Sequence, residues 1–274
     1  MAILTVIRGG GDLASGVALR LFRIGMDTII TELSEPLVVR RTVSFAEAVF
    51  GGRTQVEEVP GCLALDYDHA GEILHEGCIP VIVDPGLNML DEIRRRQSPE
   101  SPLVLIDARM TKKPPDFGIS AADLVIGLGP GFIAGENCHA VIETNRGHNM
   151  GRVFWQGTAE MDTGMPEKVN VHGVDRVLRA PLDGRFIAFL EIGEHVDEGQ
   201  IIGEVSKVPI KAPFKGVLRG ILHSGIGVRR GLKIGDVDPR DDPRYCFLVS
   251  DKSLAIGGGV TEAILSSKEF RYNL

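Results

Sequence analysis

The chain has 274 residues, 43% of them hydrophobic and 24% charged, with a formal net charge of -7. This is the composition of a globular protein with a sizeable core. The negative balance argues against general binding to nucleic acid or to a membrane surface, so any anion site must be local. In chain order, LTVIR (4–8), TIITE (28–32), IPVIVD (79–84), LVLID (103–107), DLVIG (123–127) and HAVIETN (139–145) are apolar, β-branched runs. Such runs suit strands buried on both faces of a parallel sheet. Helical patterns lie between them, including residues 16–24 and 68–76. The alternation predicts an α/β fold, a Rossmann-like doubly wound parallel sheet, over residues 1–168.

Beyond residue 168 the texture changes. APLDGRF (180–186) returns as APFKGVL (212–218). At the same interval Gly193, Val196, Gly199 and Gly203 return as Gly225, Val228, Gly231 and Gly235. A constant offset over so many positions is an internal duplication. The pattern predicts a small all-β duplicated barrel-sandwich domain, biotinyl/lipoyl-like, over residues 169–242. The tail, 243–274, reads as a strand, a glycine run and a helix from about Val260 that packs back on the first domain.

The segment VIRGGGDLASGVALRL holds the clearest chemical signal. Gly9-x-Gly11-x-x-Ala14 matches a relaxed dinucleotide fingerprint. Its glycines permit the turn and the approach of backbone to a pyrophosphate, and the following helix offers its N-terminus to the anion. Gly10 and Asp12 belong to the same turn. Glu32 closes the second strand, at the spacing from Gly11 where an acid accepts hydrogen bonds from a ribose 2′-OH. A tight turn without a ligand is the competing reading. Ligands of open α/β sheets bind beyond the carboxyl ends of the strands, so other segments are expected on the same rim. Arg109 lies in DARMTKK, Gly129 and Gly131 in GLGPG, and Arg146 and His148 in ETNRGH. The two arginines suit either a ligand phosphate or a buried ion pair; Lys112 and Lys113 suit a solvated loop. The cofactor expected from the residues is a nicotinamide dinucleotide or another phosphate-bearing group.

Other features are weaker. Cys62, Cys78, Cys138 and Cys246 show no CxxC spacing and read as free thiols of a reducing cytoplasm. The amino-terminal residues lack a signal-peptide pattern and no apolar run spans a bilayer, so the expected location is cytoplasmic. Cys138 has no local feature that would lower its pKa. DVDPRDD (236–242) lacks the central glycine and the bidentate Glu of a calcium loop, and no metal site is expected. Lys207 lies where a carrier domain would be modified, but without the flanking methionines.

VIRGGGDLASGVALRL, ELSEPLVVRRTVSFAEAVF, VDPGLN, DARMTKK, VIGLGPGFIAGENCHAVIETNRGHNMG, KIGDVDPR and SDKSLAIGGGVTEAI together resemble the YqeB-type accessory proteins of selenium-dependent molybdenum hydroxylase systems. The resemblance runs nearly end to end. It implies a role in maturing a molybdenum hydroxylase, akin to that of XdhC-type chaperones. The implied cofactor is molybdopterin, and the implied partners are a client hydroxylase and a selenium or sulfur donor protein. An NAD-dependent oxidoreductase is the alternative reading. Whether a reaction is catalysed, and whether the chain forms a homo-oligomer, stay open at this level.

Overall fold

A computed structural model describes residues 3–96, 101–161 and 174–267. The chain divides into two compact units. The first comprises Met1–Pro36, Phe45–Asp162 and Val249–Leu274, and the second comprises Leu37–Ser44 and Thr163–Leu248.

In the first unit the elements are β1 (Leu4–Arg8), α1 (Asp12–Arg23), β2 (Asp27–Glu32), α2 (Ala48–Gly51), β3 (Arg53–Val56), β4 (Val59–Ala64), α3 (Tyr67–His75), β5 (Ile79–Val83), α4 (Met89–Arg96), β6 (Leu103–Asp107), β7 (Leu124–Leu128), β8 (Ala140–Ile142), β9 (Val153–Phe154) and α5 (Asp251–Ser266). The sheet has nine strands in the order β3-β4-β5-β2-β1-β6-β7-β8-β9. All six apolar runs form strands within it. The expected Rossmann-like, purely parallel sheet is nevertheless corrected: β3 pairs antiparallel with β4, and β9 with β8, so the sheet is mixed. Each antiparallel edge is a local return of the chain. At the first, Glu57 takes a positive φ of 52° between β3 and β4.

Strand register places Val6, Ile29, Leu105 and Val125 in one row across the sheet. They share a core with Ile73 of α3 and Ile93 of α4. Burying such apolar rows contributes about 25 cal/mol per Å² of apolar surface removed from water. α1 and α5 pack against each other through glycines. A Cβ on Gly257 would lie 2.7 Å from the carbonyl oxygen of Gly16, and one on Gly16 would lie 2.6 Å from Cβ of Ser253. The glycine run is therefore inside a helix, which corrects the strand–glycine–helix reading of the tail. Ser250 caps that helix by accepting from the Ser253 amide at 3.1 Å.

Cys62 and Cys78 are disulfide-bonded, with Cα atoms 6.3 Å apart. The expectation of four free thiols is corrected at this pair. Cys62 stands opposite Pro80 in the β4–β5 ladder, and Cys78 immediately precedes β5. Cys138 and Cys246 are free and buried. No helix among the described residues is long and apolar enough to cross a membrane.

The second unit contains β10 (Val177–Arg179), β11 (Gly184–Ala188), β12 (His195–Val196), β13 (Ile201–Val205), β14 (Val208–Lys211), β15 (Gly216–Ile221), β16 (Gly227–Val228) and β17 (Lys233–Asp238). The duplication is visible strand by strand: β11, β12 and β13 recur, at the interval that separates Ala180 from Ala212, as β15, β16 and β17. The biotinyl/lipoyl-like barrel-sandwich is corrected to two four-stranded antiparallel sheets, β10-β17-β15-β12 and β14-β13-β11-β16. Each sheet takes strands from both copies, through β12–β15 and β11–β16. Neither copy alone can complete its backbone hydrogen bonds, so the two are obliged to interlock. Leu37–Ser44 adds to this unit by a bond from the Ile221 amide to the Val39 carbonyl at 2.7 Å. Lys207 sits in the turn between β13 and β14, where Ser206 and Lys207 both have positive φ, 47° and 69°.

Candidate functional site

The site candidates lie around the carboxyl ends of β1, β2, β6, β7 and β8. The turn after β1 is built around Gly9, whose φ of 94° is the left-handed conformation that glycine adopts without steric cost. A Cβ there would meet the backbone of Arg109 at 3.4 Å. A Cβ on Gly10 would lie 2.9 Å from the Ala46 amide nitrogen, which itself donates to the Gly10 carbonyl at 3.0 Å. Gly10 is thus required for packing, whatever the turn binds. Gly11 is the N-cap of α1 in extended conformation, with no side chain to cap the helix. Asp12 opens the helix, and its Oδ1 accepts from Ser253 Oγ at 2.8 Å.

Glu32 reaches this turn. Its Oε2 accepts from the Gly10 amide and its Oε1 from the Leu33 amide, both at 2.7 Å. Burial pushes its carboxyl pKa up, and the two amides oppose that shift. A ligand hydroxyl at Glu32 would have to share an acid already engaged by the protein's own backbone.

Arg109 is brought beside Gly9 and held by Asp107, the last residue of β6. Its Nε donates to Asp107 Oδ1 at 3.0 Å and its Nη2 to Oδ2 at 2.6 Å. Nη2 also donates to Asp116 Oδ1 at 2.9 Å. A second guanidinium completes the group. Arg8, at the end of β1, donates from Nη1 to Asp116 Oδ1 at 2.5 Å and from Nη2 to Asp116 Oδ2 at 3.0 Å. Two arginines therefore converge on one carboxylate. They hold the Asp116 carboxyl well below the usual carboxylate range, Arg8 most strongly.

Arg8 and Asp116 join this cluster without having been singled out from the sequence. The available signal was a charged residue ending an otherwise apolar central strand, which must be paired when buried.

The remaining candidates divide. Gly129 (φ 72°) and Gly131 (φ 106°) face the loop that carries Arg109. A Cβ on Gly129 would collide with Thr144 Oγ1 and lie 3.3 Å from the Met110 methyl carbon, and one on Gly131 would lie 2.6 Å from the Lys113 carbonyl oxygen. Arg146 is in a two-bond ion pair with Asp251, Nη1 to Oδ2 at 2.5 Å and Nη2 to Oδ1 at 2.8 Å. Asp251 and Ser253 belong to the first turn of α5, so Arg146 is linked through that turn to Asp12. His148 is exposed on the loop between β8 and β9. Glu143, buried at the start of that loop, accepts from the Asn145 and Glu160 amides at 2.7 Å each and fixes the loop's entry. Cys138 is fully buried and its thiol is pushed up to about 12 by that burial, so it is not a thiolate at neutral pH. No group of three or more metal-ligating side chains occurs among the described residues.

No protein-family model matches the chain. It is 45% identical over 262 residues to the uncharacterized protein YqeB of Escherichia coli (strain K12), a match covering 96% of this chain and 47% of that protein. This similarity supports a YqeB-type protein, and the chain spans about half the length of the curated relative it matches. Among solved structures it is similar to an aspartoacylase family protein from Mesorhizobium loti, at 13% identity and a TM-score of 0.27, over 87% of this chain and 85% of the other. The apo structure of the ectoine utilization protein EutE (DoeB) from Ruegeria pomeroyi gives 13% identity and a TM-score of 0.27, over 87% and 86%.

Proposed function

We propose that this YqeB-type chain is an accessory protein in the maturation of a selenium-dependent molybdenum hydroxylase, and that it binds a phosphate-containing cofactor of the molybdopterin type on the glycine-lined rim. The observation that carries the reading is the placement of Arg109 against the Gly9–Asp12 turn at the carboxyl ends of β1 and β6. The Arg109 backbone packs on Gly9, while its guanidinium is engaged by Asp107 and Asp116. A phosphate at the α1 N-terminus would meet the positive dipole end and would share the Arg109 guanidinium with those acids. In this reading Arg109 anchors the phosphate and Gly11 leaves room for it. Gly131 lets the Arg109 loop pack closely and Gly129 makes room for Thr144, while Arg146 and His148 border the outer edge. The client is a molybdenum hydroxylase, and a selenium or sulfur donor protein acts in the same step.

Glu32 beside the glycine turn favours a second reading, in which the ligand is an NAD-type nucleotide of an oxidoreductase. The two readings separate by what copurifies with the intact chain. A pterin fluorescence signature supports the first, and nicotinamide absorbance supports the second.

A further inference from the structure

We propose that a second pocket on the first unit binds a small monoanion with an apolar body, and that the Asp116 carboxylate fills the anion's place in the unliganded chain. The pocket is a cavity of about 160 Å³. Arg8, Arg94 and Asp116 line it on the polar side, and Leu87, Leu90 and Phe117 on the apolar side. A cavity of ~150 Å³ accepts a single aromatic ring. The pocket is thus too small for a pterin or dinucleotide, and it adjoins the rim proposed above through Asp116, which also accepts from Arg109 Nη2 at 2.9 Å.

Its charge chemistry specifies the ligand. The Arg8 side chain is only 6% exposed, so water does little to solvate its charge. Besides Asp116 it donates to the Pro85 carbonyl at 2.7 Å, and its Nε is buried with no hydrogen-bond partner among the described residues. Such a guanidinium must keep a counter-anion. The anion it holds is 60% exposed and belongs to a loop rather than to the sheet. That loop bends through Met110 and Lys112 at φ 54° and 60°, conformations unusual for residues with a Cβ.

A planar carboxylate forked on a buried guanidinium is how a ligand carboxylate would be held. Exchange would be one anion for another. Asp91 also lines the pocket, so Arg8 and Arg94 face two carboxylates while Asp116 is in place. With Asp116 displaced the lining carries one net positive charge, which a monoanion neutralises. Phe117, next to Asp116, is part of the apolar wall and would move with it.

The test titrates benzoate into the full chain by calorimetry, with inorganic phosphate as a second probe that lacks the apolar body. Asp116→Asn keeps the side chain's shape and removes the competing charge. It should bind benzoate at least about tenfold more tightly than the unmodified chain, the factor that corresponds to ~1.4 kcal/mol. Adding Arg8→Lys should reverse the gain, because it loses the planar fork. Phosphate should bind more weakly than benzoate in every variant. Gly11→Val should leave benzoate affinity unchanged, which keeps this pocket's outcome separate from that of the rim.

No gain in Asp116→Asn, no loss on adding Arg8→Lys, or phosphate binding as well as benzoate would each overturn the proposal. Asp116→Ala is the second variant. Unfolding of both Asp116 variants would make that residue part of the scaffold and overturn the proposal as well.

Discussion

Both units end a long strand in the same pattern, Asp-x-Arg. In the first, Arg109 grips Asp107, with Nε and Nη2 donating to the two carboxylate oxygens. In the second, Arg240 grips Asp238 at the end of β17 in the same way, at 2.9 and 2.5 Å. What surrounds the pattern differs. In the second unit the next acid is Asp236, in β17 itself, bound by Arg176 at 2.9 and 2.7 Å. Both of those side chains are buried, Arg176 at 9% and Asp236 at 4% exposure. In the first unit the next acid is Asp116, on a loop and mostly exposed. An acid fixed by a strand cannot leave without breaking a ladder. An acid supplied by a loop can. The local motif is shared, and the element that supplies the next acid decides whether that acid is fixed in a ladder or carried on a loop.

The largest consequence should appear at the closed cluster. Arg176→Ala leaves Asp236 buried and without its main partner, and breaking such a pair costs about 3–5 kcal/mol. Denaturant unfolding should show that loss. A change below about 1 kcal/mol, the range of exposed pairs, would mean that the second unit's cluster is no more fixed than the first's.

Two acids of the first unit sharpen the contrast through pH. Glu32 has a folded pKa raised by burial. The folded state therefore holds that proton more tightly, and stability should rise as pH falls through the folded value, levelling off below the unfolded one. Asp116 is shifted downward by Arg8 and Arg109. Its contribution is fully present above the unfolded value and is lost as pH falls toward the folded one. As pH falls from neutral toward the ordinary carboxylate range, the unmodified chain should gain stability relative to Glu32→Gln. Parallel curves for the two proteins would show that Glu32 is not desolvated.

Arg146 gives the smallest effect. Its pair with Asp251 is exposed on both sides, 36% and 70%. Exposed pairs contribute about 0–1 kcal/mol. Arg146→Ala and Asp251→Ala should each shift apo stability within that range, and a double-mutant cycle should return a coupling no larger. A bigger coupling would place Arg146 with the closed type of cluster.

Strands with unbroken apolar runs were legible in the sequence because burial on both faces leaves a plain signature. The duplication was legible because its glycines and valines keep one offset. The β3–β4 hairpin was not, since RTQV is polar and Pro60 lies inside VPGCLA, where a proline normally argues against a strand. The glycine run of α5 was read as a break. Glycine disfavours helix locally, and only the close approach of α1 explains it. At the site, the turn and Arg109 were legible from the fingerprint and the strand ends. Asp116 was not, because its return to Arg8 depends on two left-handed residues, Met110 and Lys112, whose side chains do not announce that conformation. The segment Leu37–Ser44 likewise carries no mark that assigns it to the second unit.

The central claim is that the glycine rim holds a phosphate-bearing pterin cofactor, and the pterin content of the purified full chain tests it most directly. The chain and its Gly11→Val variant would be purified in parallel, released pterin measured by fluorescence, and thermal unfolding recorded for both. The account predicts near-stoichiometric pterin in the unmodified chain and none in Gly11→Val, with the two proteins unfolding at similar temperatures. Pterin absent from both would contradict it. So would a Gly11→Val chain that fails to fold, because the turn would then serve packing at Gly11 as it does at Gly10.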